Sequence, residues 1–379
     1  MIYLDSAATT LQKPPVVINS AVHALKHLSS PARGGYSSAV RASDIVFECR
    51  ENAARLFNVG DPSNVVITAS ATHGLNIAIK SLAARGKKVI ISGYEHNSVT
   101  RPLRAVGAEI EVAAAELFEP EMAVFEIERR LTEKTSLVVV NHVSNVFGYI
   151  QPIERIAKSC RAKKVPFIID ASQSAGIVNL DFEALGADFV AMPGHKGLYG
   201  PQGTGLLLCA SVTQGIIQGG TGGNSKLQTM PDFLPDRLEA GTHNMPGIAG
   251  LNAGIKYVLD YGTDNVLEHE SALMRKAAEQ LSSIDGVKVF KSEFDYCQAG
   301  VVSFVVSGIS CEAVGEQLGR RDIAVRTGLQ CAPLAHRTAG TLDSGTVRAS
   351  FSIFNTKRDV NRLFDAVREI AGAVNNTRD

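Results

Sequence analysis

The stretches PFIIDASQSAG (residues 166–176) and DFVAMPGHKGLYGPQGTG (residues 188–205) decide the fold. In each, a short apolar run gives way to polar or glycine-rich chain: Phe167 to Asp170 in the first, Phe189 to Met192 in the second. Such a run, bounded by turn formers, is the pattern of a strand covered on both faces of a sheet. Working outward, the pattern recurs at Val65 to Thr68, Val89 to Ser92, Leu137 to Asn141 and Gly205 to Cys209, with helical stretches between. Strands alternating with helices imply βαβ units and an α/β fold around a mostly parallel sheet. Ligands of such sheets collect beyond the carboxyl ends of the strands, where Thr72, Asn145, Asp170 and the segment after Met192 fall.

The chain has 379 residues, enough for one large domain and a smaller one. Residues 1–20 are expected to form an N-terminal segment associated with the active site or the small domain. Residues 21–254 form the large α/β domain and residues 255–379 a smaller C-terminal α+β domain. Around Gly254 the pattern becomes a long helix-like segment, followed by strand candidates at Val301 to Val306, Ile323 to Arg326 and Thr346 to Ser352, with a helix near Cys311 to Gly319. Val360, Leu363, Phe364, Val367 and Ile370 follow helical spacing, and Thr356 with Asp359 makes a capping-box-like start. The Gly-rich stretch Gly219 to Asn224 reads as a surface loop.

Lys plus Arg and Asp plus Glu both number 38, so no overall field recommends nucleic acid or an anionic membrane. No apolar run reaches the ~18 residues of a membrane span, and the start lacks a basic flank, so a cytoplasmic protein with a small-molecule substrate is expected. Six scattered cysteines form no CxxC pair, which suggests neither a metal site nor a disulfide framework.

Asp170 and Lys196 are the first chemical pair. Alone, each has a bland explanation: a strand-end aspartate and a solvated loop lysine. Together, with glycines flanking Lys196, they match the two needs of pyridoxal 5′-phosphate (PLP): a lysine that forms an imine, and a carboxylate that keeps the pyridine nitrogen protonated. A lysine held among apolar and glycine residues also has its ammonium disfavoured, which supplies a free amine.

With the motifs YLDSAATT, SATHGLN, GYEHNSV, NHVSNVFG, EAGTHN, VRTGLQCAP and VRASFSIFNT in order, the chain resembles the class V aminotransferase family of PLP enzymes over nearly its whole length. Within it, the chain is similar to cysteine desulfurases with a short active-site cysteine loop. The resemblance implies the aspartate aminotransferase-like fold (fold type I). It also implies conversion of L-cysteine to L-alanine, with sulfur passing to an enzyme cysteine as a persulfide and then to an acceptor protein or thiol. Selenocysteine lyase, a true aminotransferase, or another PLP lyase that does not use Cys331 are the alternatives.

By the same resemblance Lys196 is the Schiff-base lysine, Asp170 the pyridine-nitrogen partner and Gln173 a phenolic-oxygen partner. His96 stacks on the ring and moves protons, and Asn145 contacts the phenolic oxygen and the substrate. Ala71, Thr72 and His195 belong to the cofactor site, with Thr72 and His195 on the phosphate. Thr242 reaches the phosphate of a neighbouring subunit, which implies a homodimer. Arg326 is an active-site arginine, Arg348 grips the substrate carboxylate, and Cys331 is the nucleophile. An ordinary helix N-cap for Thr72, a structural histidine for His96, an inert thiol for Cys331 and a surface ion pair for Arg348 are the plain alternatives. Three departures bear on this. Pro193 stands where a phosphate-contacting hydroxyl is common, His73 where an acidic residue is common, and Leu329 and Gln330 where some members carry histidines.

Overall fold

The computed structural model describes residues 1–31, 34–223 and 226–375. Asn224, at the end of the Gly-rich stretch, lies outside them; residues 219–220 and 223 before it are exposed.

Seven strands make the main sheet, in the spatial order Val65–Thr68, Gly205–Cys209, Phe189–Pro193, Phe167–Asp170, Thr135–Asn141, Lys88–Ser92 and Glu109–Ala113. All run parallel except Gly205–Cys209, which is antiparallel to both neighbours. The parallel pairs need crossovers, supplied by helices such as Asn97–Ala105 and Ile153–Lys163. The one antiparallel return needs only the connection 194–204, which carries Lys196. Leu137, Val138, Val139 and Val140 are all fully buried, as expected of a strand covered on both faces.

A second sheet holds Arg326–Gly328, Thr346–Ser350, Val301–Val306 and Val287–Phe290, all antiparallel. Its core, including Phe304, Val314 and Val347, is shared with helices Thr263–Ser282, Cys311–Gly319 and Lys357–Asn375. On the last helix Val360, Leu363, Val367 and Ile370 are buried, and Asp359 Oδ2 accepts from Thr356 N at 2.9 Å, so the helix starts as its sequence predicts.

Several boundaries differ from expectation. The helix-like segment around Gly254 is two helices, Met245–Tyr261 and Thr263–Ser282, because Gly262 between them takes φ 87°, outside the helical region. Ile323 to Arg326 is split: Ile323–Ala324 pairs with Ile2–Tyr3, while Arg326–Gly328 joins the second sheet. Thr346 to Ser352 ends as a strand at Ser350.

The N-terminal segment links the two sheets. Beyond Ile2–Tyr3, Asp5 bridges to Ser350, and the chain then crosses so that Thr10 N donates to His195 O at 3.1 Å. The start of the sequence therefore lies between the second sheet and the loop that carries Lys196.

Candidate active site

Lys196 lines a cavity of about 110 Å³ beyond the carboxyl ends of the parallel strands. Ala71, Thr72, His96, Asn145, Asp170, Gln173 and His195 line it as well, so eight of the twelve residues singled out in the sequence share one space. They arrive from the ends of five strands, which is why residues more than a hundred positions apart meet there.

Burial lowers the Lys196 amine from 10.5 to about 8, although the negative charge of Asp170 opposes the change. Asp170 is buried, and its Oδ1 accepts from Ser172 N at 2.9 Å and from the Ser172 hydroxyl. His96 caps helix Asn97–Ala105, with Nδ1 accepting from Ser98 N at 3.0 Å. That bond occupies the Nδ1 lone pair, so the neutral imidazole carries its proton on Nε2. Burial lowers the pKa of His96 and brings that of His195 down to about 4, which keeps both rings neutral near pH 7.

Helix Ala71–Leu82 points its N-terminus at the cavity. Its N-cap is Ser70, not Thr72: Ser70 Oγ accepts from His73 N at 3.1 Å. Thr72 therefore stands inside the first turn, where backbone amides without helical partners favour an anion. His73 stays local, its Nδ1 accepting from Ala69 N at 3.3 Å. Pro193 lines the cavity and closes the strand Phe189–Pro193.

Asn145 connects this cavity to the other candidates. Its backbone oxygen accepts from Arg348 Nη1 at 2.8 Å, its Nδ2 donates to Gln330 O at 2.8 Å, and its buried Oδ1 has no partner. Arg348 is buried, and its Nη2 donates to Asp5 Oδ1 at 2.6 Å, so its ion pair is internal instead of a surface one. Arg326 is exposed, with Nη1 3.9 Å from Asp5 Oδ2.

The neighbouring loop holds Gln330 and Cys331 at φ 42° and 58°, both left-handed. Such a pair of non-glycine residues costs about 1–2 kcal/mol each and persists only where the surroundings fix it. Here Asn97 N donates to Cys331 O at 2.9 Å, Gln330 Nε2 donates to Thr346 O at 3.0 Å, and His336 Nε2 donates to Gln330 Oε1 at 2.8 Å. Gln330 thus anchors the loop, and Cys331 is exposed while the other five cysteines are buried. Burial raises the thiols of Cys49 and Cys160 to about 12 and those of Cys209, Cys297 and Cys311 in the same direction, which leaves them unreactive.

Thr242 does not join the cavity of its own chain. It is exposed, in a separate groove of about 780 Å³ with Arg50, Glu239 and His243. Four residues that sequence reasoning passed over also serve the site: Asp5, Ser98, Ser172 and Glu95. The Glu95 Oε1 accepts from Ser92 Oγ at 2.5 Å and from Asn141 N at 2.9 Å, and burial raises its carboxyl to about 8. Asp5 stands in the quoted motif YLDSAATT and Glu95 directly before His96, so adjacency to a motif was the available signal.

The model of the family described as aminotransferase class-V matches residues 2–363. A probable cysteine desulfurase of Methanothermobacter thermautotrophicus is 33% identical, over 98% of this chain and 95% of its own length. One from Mycolicibacterium paratuberculosis is 31% identical over 98% of this chain, which spans only 55% of that longer protein. The apo structure of a cysteine desulfurase from Thermococcus onnurineus NA1 superposes with a TM-score of 0.90, at 30% identity, covering 98% of this chain and 95% of that one. The two-sheet architecture is therefore that of a known enzyme fold, and the chain belongs to the aminotransferase class-V family.

Proposed function

We propose that this protein is a PLP-dependent cysteine desulfurase that makes L-alanine from L-cysteine and takes the sulfur onto Cys331. The observation that carries this is the position of Asn145, which lines the Lys196 cavity while bonding to both Arg348 and the loop of Cys331. An amine, a carboxylate anchor and the exposed thiol thereby converge.

The donor set of the cavity suits PLP. The open amides of Ala71 and Thr72 at a helix N-terminus, with His195, fit a phosphate; Asp170 fits a pyridinium nitrogen; Gln173 and the partnerless Asn145 Oδ1 offer polar contacts. When bound, PLP captures the amine of an amino acid and withdraws electrons from Cα.

The chain's own residues do the rest. Arg348 holds the substrate carboxylate. Lys196 Nζ, with a pKa near 8, takes the proton from Cα. His96, which lines the same cavity, would face the cofactor there and could offer a proton from Nε2. The Cys331 thiolate attacks the substrate sulfur: an S–S bond forms, the Cβ–S bond breaks, and its electron pair stays on the carbon side. Protons returned to Cβ and Cα complete alanine, and the persulfide on Cys331 passes to an acceptor thiol or protein.

In this reading residues 21–254 form the large domain that supplies the cofactor site, residues 255–379 the small domain that supplies Arg326, Cys331 and Arg348, and residues 1–20 the segment between them. The active form is a homodimer in which Thr242 serves the partner's cofactor phosphate; its place in a groove separate from its own chain's cavity supports this.

The test is to incubate the purified holoenzyme with L-cysteine, quantify alanine, and map the persulfide by alkylation and mass spectrometry. Alanine should appear with a persulfide on Cys331, and Cys331→Ala should keep the cofactor yet make almost none. It should retain more activity on selenocysteine, because a selenol leaves more readily than a thiol. Alanine formed from cysteine at the parent rate in that variant would overturn the desulfurase assignment.

A further inference from the structure

Arg326 and Arg348 are directly opposed across the antiparallel strands Arg326–Gly328 and Thr346–Ser350. Two like charges facing each other on one side of a sheet repel. Asp5 lies between them, with Oδ1 2.6 Å from Arg348 Nη2 and Oδ2 3.9 Å from Arg326 Nη1. The carboxylate has little freedom to leave. Ser350 N donates to Leu4 O at 2.8 Å, and Ala7 N donates to Ser350 Oγ at 2.9 Å, so the backbone on both sides of Asp5 is stitched to the strand of Arg348.

Two arginines and one aspartate leave a single net positive charge. The guanidinium of Arg348 is also only partly used: Nη1 serves Asn145 O and Nη2 serves Asp5, while Nε is buried without a partner. A donor edge thus remains for one further carboxylate, with Asp5 still in place.

We propose that Asp5 is a specificity-determining residue: by bridging Arg326 and Arg348 it limits the carboxylate-binding region to one net positive charge, and so selects amino acids with an uncharged side chain over those with an anionic one. This rests on Arg348 anchoring the substrate carboxylate. An amino acid with one carboxylate neutralises the cluster. One with a second anionic group brings a charge that the two arginines could have matched, had Asp5 not already taken it.

The experiment titrates the holoenzyme with L-alanine and with L-aspartate, following the cofactor absorbance, and compares the two dissociation constants. It requires no sulfur transfer, so failure of the desulfurase reading, seen as no alanine from cysteine, stays separate from failure of this one. Removing one unit charge several ångströms from the ligand in a partly solvated site is worth about tenfold in affinity. Asp5→Asn, which keeps the shape, should therefore shift the aspartate-to-alanine ratio of dissociation constants about tenfold in favour of aspartate. Arg326→Ala, at an exposed position, should shift it the other way. Both shifts should shrink as salt is raised. An unchanged ratio in either variant overturns the proposal. So does an equal loss of affinity for both ligands in Asp5→Asn, since that would make Asp5 only an orienting group.

Discussion

Replacing Lys196 by Met should stabilise the protein once it is stripped of cofactor, and by an amount that depends on pH. Lys196 keeps only part of its surface exposed, and desolvation brings its amine from 10.5 to about 8 against the opposing pull of Asp170. Between those values the unfolded chain binds a proton that the folded one does not, so the stability of the parent protein rises with pH across this window. Below pH 8 the folded state must carry the buried ammonium, at a cost of about 3 kcal/mol at about 1.4 kcal/mol per unit of pKa. A methionine of similar length carries no such cost. Lys196→Met should thus gain about 3 kcal/mol at pH 7, but only about 1.5 kcal/mol at pH 9.5, where the unfolded lysine is itself losing its proton. Urea unfolding of both stripped proteins at the two pH values gives the difference, and the histidines that feel the Lys196 charge, His96 and His195, add little because both are neutral at either pH. Packing differences between lysine and methionine would shift both values equally, so the change with pH is the sharper quantity. A gain that is the same at pH 7 and pH 9.5, or none at pH 7, would refute the claim that burial prepares this amine for capture of a carbonyl.

Two further outcomes bear on the proposed residues. Arg348→Ala should lower kcat/KM for cysteine about 10- to 100-fold while cofactor binding, followed by absorbance, is kept, since a charge-assisted bond contributes about 1.5–3 kcal/mol; unchanged efficiency would remove Arg348 from substrate binding. An inactive Thr242→Val protein mixed with an inactive Lys196→Ala protein should recover activity by forming hybrid dimers, and no recovery despite demonstrated subunit exchange would show that Thr242 acts within its own chain.

The strands that the sequence revealed are those buried on both faces. Phe167–Asp170 and Gly205–Cys209 match their expected bounds because a doubly covered strand must be apolar at every position. Glu109–Ala113 and Val287–Phe290 escaped notice because Glu109, Glu111 and Lys288 interrupt their apolar runs, whereas Val65–Thr68, also at a sheet edge, keeps an unbroken one. The break at Gly262 was equally hidden, since both flanking helices present apolar residues and only the backbone angle separates them. The cavity residues were legible for a different reason: Lys196, Asp170 and His96 sit in motifs whose chemistry is specific. Asp5 was not, because its meaning comes from Arg348, which is 343 positions away.

Glu95 shows why the chemistry of a site exceeds its motif residues. Its carboxyl is fully buried close enough to Asp170 for the two charges to repel, and desolvation, together with that repulsion, raises it to about 8. Near pH 7 it is therefore largely neutral, which avoids a second carboxylate charge beside Asp170. A neutral Glu95 can still accept from Ser92 Oγ and Asn141 N, tying the ends of the strands Lys88–Ser92 and Thr135–Asn141 together beneath His96. An ionised Glu95 would add a second carboxylate charge and pull the Lys196 proton more tightly, which works against the free amine that the proposed chemistry needs. The same burial that makes Lys196 a usable base thus keeps a neighbouring acid silent. Two side chains of opposite ordinary charge are brought toward neutrality by one low-dielectric environment, while Asp170 and Arg348 beside them are each met by donors or acceptors of their own: Ser172 for the first, Asp5 and Asn145 for the second.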